Sequence, residues 1–304
     1  MPTHCEICET PAATRLYAQG RYICSKCFLG LYFYCEECGG VGLINDSYIC
    51  NNKQLCYDCW RKYSQWESTK VPQSLTAKKL GSTRCFGVEL ETAQCNGYLK
   101  LRNKTVFGVK EDGSIDGMEF VSPILSGDDG IREVRKFCRL AKNFTVDYQC
   151  GFHVHIDLRD TTAEQRKLLA YAYRLTFWLW GALVEKERLG NEFCQSPPYT
   201  PEDVLTGNYG HSRYEFINWR AYGTHKTVEI RGFEGTLNAK EICNWVAAHL
   251  RFVDAVLNMG LEEINSKFKN KKSHRNLRRI IGKRLSDFYA KNWKEAKLVG
   301  ILCV

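Results

Sequence analysis

Three short stretches, Glu89-Leu90-Glu91, His153-Val154-His155 and Glu229-Ile230-Arg231, each set two polar side chains two residues apart inside a β-prone run. Two residues is the repeat of a strand, so each pair shares one sheet face. Val88, Leu90, Phe152, Val154, Ile156, Val228 and Ile230 then point the other way, into a core. Glu119, in a further β-prone run, brings another carboxylate to the polar side. Taken singly, each pair reads as a solvated strand face or a histidine satisfied by neighbouring carbonyls. Their joint occurrence on one parity points to a shared site. Carboxylates gathered on one surface repel unless cations sit among them, and a divalent-metal site is the economical explanation.

A different metal chemistry is written into the first 59 residues, which hold four Cys-x-x-Cys pairs: Cys5 and Cys8, Cys24 and Cys27, Cys35 and Cys38, Cys56 and Cys59. Fifteen residues separate the first two pairs and seventeen the last two, spacings suited to tetrahedral thiolate sites. Two structural Zn2+ ions are expected. Sequential pairing, with the first four ligands on one ion and the last four on the other, is the simpler connectivity; an interleaved cross-brace stays open. Closed four-ligand sites leave no open coordination position, so this module is not expected to be catalytic. The pattern resembles tandem treble-clef domains, although seven residues between Cys27 and Cys35 exceed the LIM spacing. Cys50 and His4 are read as bystanders.

The elements that must position these residues follow from composition and periodicity. Residues 1–63 form the tandem four-cysteine zinc-binding module, 64–83 a polar linker containing Pro72 and Gly81, 84–260 a catalytic domain, and 261–304 a basic, helical C-terminal segment. Strands are predicted at 85–92, 105–110, 118–122, 149–158, 214–220 and 226–232. Thr161 followed by Glu164 has the spacing of a capping box and predicts a helix running on to Leu189 before Gly190. Asn238 with Glu241 opens another that ends near Gly260, and a third spans roughly Asp129 to Lys142. Strands and helices do not alternate strictly, and no Gly-rich phosphate loop follows a strand. The fold class is therefore α+β, an antiparallel sheet with flanking helices plus the small N-terminal zinc-binding module.

Of the formal charge of +9, residues 265–297 supply twelve Lys and Arg against Asp287 and Glu295, so the remainder of the 304-residue chain is close to neutral. Such a segment attracts an acidic protein or a nucleic acid through long-range fields. Leu277, Ile280, Ile281, Leu285 and Phe288 recur among those charges at helical spacing, which equally describes a docked helix with a solvated basic face. No apolar run of the roughly 20 residues a membrane span needs is present, and the N-terminus lacks a signal-peptide pattern. With its cysteines paired for metal, the protein is expected to be cytoplasmic.

The order and wording of the polar segments resemble the amidoligase branch of the glutamine synthetase and glutamate-cysteine ligase superfamily over roughly Phe86 to Ala255. The segments are Phe86-Gly87-Val88-Glu89-Leu90-Glu91, Glu111-Asp112-Gly113-Ser114-Ile115, Met118-Glu119-Phe120-Val121-Ser122-Pro123, Cys150-Gly151-Phe152-His153-Val154-His155-Ile156-Asp157, Arg188 with Asn191, and Thr227-Val228-Glu229-Ile230-Arg231 running into Gly235-Thr236-Leu237. The resemblance implies a glutamine synthetase-like sheet that floors an ATP site with Mg2+, for which Mn2+ substitutes. It implies that Glu89, Glu91, Glu119, His153 and Glu229 are metal ligands, that His155 and Arg231 contact the nucleotide, and that Asp112, Ser114, Arg188 and Asn191 hold substrate. The implied reaction is ATP-dependent carboxylate-amine ligation, forming an amide or isopeptide bond through an acyl phosphate, with carboxylate and amine substrates that include proteins or peptides. The alternatives are a metal-dependent hydrolase using His153, His155 and Asp157, or a non-catalytic zinc-finger binding protein.

Overall fold

The computed structural model describes residues 4–298 except 12–14, 19, 51, 75, 114 and 116. The chain divides into two compact units, Met1–Trp66 and Glu67–Val304.

The first unit repeats one plan twice. A Cys-Glu-x-Cys turn leads to a hairpin, and the next cysteine opens a helix. In the first half the hairpin is β1 (Arg15–Ala18) with β2 (Arg21–Cys24), and Cys24 is the N-cap of α1 (Ser25–Leu31). The second half begins with β3 (Tyr32–Tyr34), which pairs with β4 (Val41–Leu43) around the turn. Its hairpin is β5 (Tyr48–Cys50) with β6 (Lys53–Leu55), and Cys56 is the N-cap of α2 (Tyr57–Ser64). Both turns are tied to their hairpins in the same way. Glu6 accepts the Tyr22 N–H at 3.0 Å, and Glu36 accepts the Gln54 N–H at 2.7 Å.

The second unit is a six-stranded, wholly antiparallel sheet backed by helices, an α+β arrangement. Its strands are β7 (Phe86–Thr92), β8 (Gly108–Glu111), β9 (Met118–Val121), β10 (Gly151–Asp157), β11 (Ile217–Asn218) and β12 (Thr227–Glu234). They lie in the order β11-β12-β10-β7-β9-β8. Alternation sorts the side chains: Phe86, Val88, Leu90, Phe120, Phe152, Val154, Ile156, Val228 and Ile230 are buried on one face. Over that face pack α3 (Gly127–Leu140), α4 (Ala163–Gly181) and α7 (Ala239–Val256). Phe120 meets Phe137 of α3 at 5.1 Å between ring centroids, and Phe233 meets Trp245 of α7 at 4.7 Å. The short helices α5 (Pro201–Leu205) and α6 (Ala221–His225) sit in the connections, and α8 (Leu261–Phe268), α9 (Ser273–Ile281) and α10 (Lys283–Leu298) complete the unit.

Several sequence expectations are corrected here. The capping box of α4 is Thr162 with Gln165, one residue on from the expected pair, because both reciprocal bonds form there. The helix ends at Gly181 instead of Leu189, since the chain turns back and packs Leu189 over Gly181, where an added Cβ would stand 3.1 Å from Leu189 Cδ2. The strand expected at 214–220 shrinks to two residues because Glu215 turns the chain, accepting the N–H groups of His211 and Ser212, both at 2.9 Å. Residues 67–83 are no free linker: Ser74 N donates to Ser126 Oγ at 2.7 Å, Lys79 N to Asp128 Oδ1 at 2.9 Å, and Leu80 is buried. In the C-terminal segment Gly282, at φ 85°, separates α9 from α10, so the expected single helix is two, preceded by α8. Leu277, Ile281 and Leu285 are buried as expected, whereas Ile280 and Phe288 are partly exposed. No described helix is long and apolar enough to cross a membrane.

One core residue makes stability depend on pH. His249 of α7 is fully buried, stacks on Trp180 at 4.1 Å and meets Tyr173 Oη at 3.0 Å through Nδ1, while its Nε2 has no partner among the described residues. Burial holds its pKa well below the usual value, so the folded core keeps it neutral. The unfolded chain takes up that proton below about pH 6.5, so this stability is present above that pH and lost as pH falls. The expected loss is about 1.4 kcal/mol per pH unit for one proton. Urea unfolding between pH 7.5 and 5 should show that slope, reduced in His249→Phe even though the variant, with Tyr173 unpaired, is less stable throughout. Equal slopes would refute the assignment.

Candidate metal and nucleotide site

The polar face of the sheet is built by register. His153 of β10 lies opposite Glu89 of β7, Glu91 lies opposite Glu119 of β9, and His155 lies opposite Glu229 of β12. A bulge in β12 sets Arg231 and Gly232 together against His153. The extra residue keeps Glu229 and Arg231 on the polar side and turns Phe233 into the core. Only glycine fits at 232, because a Cβ there would run into the Phe216 ring.

His153 occupies the centre and is buried, as are Glu91, Glu119, Glu229 and Arg231. Its Nδ1 stands 3.3 Å from Glu89 Oε2 and 3.5 Å from Glu229 Oε1, and its Nε2 is 3.6 Å from Glu91 Oε1. His155 Nε2 is 3.5 Å from Glu89 Oε1, with Nδ1 fixed by Thr227 Oγ1 at 2.9 Å. Arg231 Nη1 donates to Glu229 Oε1 at 2.6 Å and lies 3.4 Å from His153 Nδ1. Glu229 Oε2 accepts Asn218 Nδ2 at 2.6 Å, and Glu119 Oε2 meets Lys110 Nζ at 2.9 Å. Where α4 breaks off, the returning chain delivers Arg188, whose Nη2 donates to the Arg231 carbonyl at 3.2 Å and stands 3.4 Å from His153 Nε2. Gly151 makes room for this, since a Cβ there would collide with both Arg188 and His153.

The electrostatics record the crowding. Burial alone would raise the Glu89 carboxyl, but hydrogen bonds from His153 and His155 hold it well below the usual range. Burial likewise opposes ionisation of Glu229, and the neighbouring His153 and Arg231 charges reverse it. Glu119 goes the other way: burial, reinforced by the Glu89 charge, pushes it up to about 9 despite Lys110. Burial would lower His155, yet Glu89 raises it, and burial lowers Arg188. A carboxyl that keeps its proton beside ionised neighbours marks a place where positive charge is in deficit.

Ligand geometry fits divalent ions there. Three groups each offer ligand atoms lying within 4.8 Å of one another: Glu89, Glu119 and His153; Glu91, Asp112 and Glu119; and Glu89, His155 and Glu229. All five glutamates and histidines expected as ligands from the sequence fall in these groups. Asp112, expected at substrate, and His155, expected at nucleotide, join them. Asn191 belongs to no ligand group among the described residues, its Oδ1 accepting the Phe193 N–H at 3.0 Å, and Ser114 lies outside the described residues. Asp157 is held by Arg159 at 2.9 and 2.7 Å and joins neither histidine in a ligand group among the described residues. Beside Glu89 opens a cavity of about 360 Å3. Phe86, Val121, Pro123 and Ile124 give it apolar walls, and Lys110, His155, Arg159 and His225 give it cationic or imidazole groups. Lys110, Asn218 and Thr227 escaped sequence reasoning; Lys110 and Asn218 each sit at the correct parity of an expected strand, which was the available signal.

In the first unit the sulfurs of Cys5, Cys8, Cys24 and Cys27 lie within 4.8 Å of one another, as do those of Cys35, Cys38, Cys56 and Cys59, the grouping that sequential pairing requires. Neither group includes Cys50 or His4. Backbone N–H groups converge on the leading sulfurs. The Cys8 amide foremost brings the Cys5 thiol down to about 6. Burial opposes the same effect at Cys35, but the amides of Cys38 and Cys56 still bring it to about 6. Cys27 and Cys59 go the other way, pushed up to about 12, Cys27 foremost by the Cys8 thiol and Cys59 foremost by burial. Four sulfurs grouped so closely fit tetrahedral zinc.

The fold is an antiparallel sheet with an apolar, helix-covered face and a polar face that carries the three candidate ligand groups. The family described as "putative amidoligase enzyme" matches this chain over residues 98–204 and 184–253, which together span more than half of it. The chain belongs to the amidoligase family. The match begins beyond β7, so Glu89 and Glu91 enter the site through geometry alone. No curated protein matches the chain.

Proposed function

We propose that this protein is an ATP-dependent carboxylate-amine ligase: the γ-phosphoryl group of ATP passes to a substrate carboxylate, and an amine then displaces phosphate from the acyl phosphate to form an amide. The observation that carries this reading is the set of three overlapping ligand groups beside the 360 Å3 cavity. Cavities of this size, apolar with a few convergent polar groups, suit a nucleotide-sized ligand. Glu89 and His155, which belong to the ligand groups, also line the cavity.

Glu89, Glu91, Asp112, Glu119, His153, His155 and Glu229 would hold two or three divalent ions. Their oxygen-rich composition favours Mg2+, and the imidazoles admit Mn2+. Such ions, when bound, neutralise charge on phosphoryl oxygens and align them. The chain's own residues prepare this arrangement. Thr227 fixes the His155 ring so that Nε2 faces Glu89, and Asn218 and Arg231 hold the two Glu229 oxygens. Arg231 keeps a guanidinium at the edge of the cluster, suited to charge developing on a transferring phosphoryl group. Arg188, buried with Nε and Nη1 unpartnered, suits a substrate carboxylate. Eight cysteines kept for metal fit a reducing cytosol. The hydrolase reading loses ground because Asp157 is spent on Arg159.

The test is nucleotide turnover with Mg2+ or Mn2+ against pools of carboxylates and amines, the products identified by mass spectrometry. ADP and phosphate are expected. AMP with pyrophosphate, or failure to bind ATP with either metal, would overturn the reading.

A further inference from the structure

We propose that the exposed basic face of the C-terminal helices, α8 to α10, docks duplex DNA through its phosphate backbone. Six exposed cations stand on these elements: Lys271 and Lys272 in the α8–α9 turn, Arg275 and Arg279 on α9, Arg284 and Lys294 on α10. No described carboxylate comes within ion-pair distance of any of them. Of the described acids beside them, Glu202 is engaged with Lys269, Glu263 with Lys267 and Asp287 with Lys283, while Glu262 stands exposed in the first turn of α8.

Folding does not explain this charge. The apolar sides of the helices dock without it, Leu277, Ile281, Leu285, Tyr289 and Trp293 being buried and Trp293 Nε1 donating to the Leu179 carbonyl at 2.9 Å. Helix electrostatics favour Arg279, in the last turn of α9, but oppose the cations at the helix starts. Arg275 stands in the first turn of α9, Lys283 and Arg284 open α10, and neither first turn carries an acid. Cations there face the positive end of the helix dipole, an arrangement that costs stability and favours an anion.

The chemistry of the face selects the partner. Protein interfaces draw most of their affinity from buried aromatic or aliphatic anchors, and these helices offer few: Leu277, Ile281, Leu285, Tyr289 and Trp293 are turned inward, Ile280 and Phe288 are half-buried, and Leu261 on α8 is exposed. Single-stranded nucleic acid needs exposed rings for its bases to stack on, and the described aromatics of α9 and α10 are buried or half-buried. Phosphate binding to a duplex needs only cations. Arg275 and Arg279, four residues apart, fall on one side of α9, and Lys272 at its N-cap continues that side over roughly 10 Å. A helical ridge of charge enters the wide major groove of B-DNA, whereas the deep, narrow groove of A-form RNA excludes it.

The experiment is fluorescence anisotropy of the full-length, zinc-loaded protein with a random duplex of about 20 base pairs, a length that spans roughly two turns of B-DNA. Six phosphate contacts predict that affinity falls on the order of a thousandfold between 50 and 200 mM salt. Arg275→Glu/Arg279→Glu, both exposed, should fold with an unchanged circular dichroism spectrum, bind at least tenfold more weakly at 50 mM salt, and flatten the slope of log K against log salt by about 2. Lys271→Glu/Lys272→Glu, outside any helix, should do the same and covers the case in which the first variant misfolds. Absence of binding at 50 mM salt, or unaltered binding by both folded variants, would overturn the proposal. Tighter binding of poly-glutamate or duplex RNA than of duplex DNA would overturn it as well.

Discussion

Glu229→Gln should lower the rate of phosphate release from ATP at least a hundredfold while leaving the fold and zinc content intact. The replacement is isosteric, so the sheet and its bulge are undisturbed. What changes is charge and hydrogen-bond sense. Both carboxylate oxygens of Glu229 are acceptors, one from Arg231 at 2.6 Å and one from Asn218 at 2.6 Å. An amide offers one acceptor and one donor, so a donor must face a donor on one side. The ligand group of Glu89, His155 and Glu229 also loses one of its two negative charges, which weakens any divalent ion held there. Arg231→Ala attacks the same place from the other side, removing a guanidinium from the edge of the cluster. Losing a group that stabilises charge in flight is worth on the order of a hundredfold or more, about 2.7 kcal/mol, and should fall on kcat instead of KM. Rates within a few-fold of the native enzyme in both variants would remove Glu229 and Arg231 from the chemistry.

The face on which Glu89, Glu91, His153, His155, Glu229 and Arg231 stand was legible because strand parity is local: the two-residue repeat fixes which side chains travel together without knowledge of partners. The same holds for the apolar set that became the core. Pairing is not local. That Asp112 comes within ligand distance of Glu91 and Glu119, or that Asn218 reaches Glu229 from a two-residue strand, depends on the strand order and on a turn built around Glu215. The arrival of Arg188 beside His153 depends on α4 ending at Gly181, and neither Gly181 nor the charged Glu185-Lys186-Glu187-Arg188 run fixes by itself where the helix breaks. The helix stops because Leu189 has a better place against Gly181 than further along a helix. In the first unit the cysteine spacing was readable. The duplication was also present in the sequence, as Cys5-Glu6-Ile7-Cys8 against Cys35-Glu36-Glu37-Cys38, but its meaning emerged only with the matching Glu6 to Tyr22 and Glu36 to Gln54 bonds.

Removing zinc should unfold the first unit and spare the second. The apolar centre around its first half consists of Cys5, Ala18, Ile23 and Phe28 with Tyr32 of β3, only one large aliphatic among them, and hairpins of three and four residues have little stability of their own. Structural zinc contributes about 10–16 kcal/mol in small domains, far more than such a core supplies. Elemental analysis should therefore give two zinc ions per chain, and chelation should abolish hydrogen-exchange protection across the first unit while that of the six-stranded sheet persists. Sequential connectivity sharpens the expectation. Cys8→Ala should lower the content to one ion and expose β1, β2 and α1, while β5, β6 and α2, tied to the other quartet, stay protected. Cys50→Ser should leave the content at two, since Cys50 belongs to neither quartet. A module that stays folded without metal would show that its packing suffices alone. Loss of protection in both halves after Cys8→Ala would show that the two sites fold as a single cooperative unit, against the independence that their separate ligand sets imply.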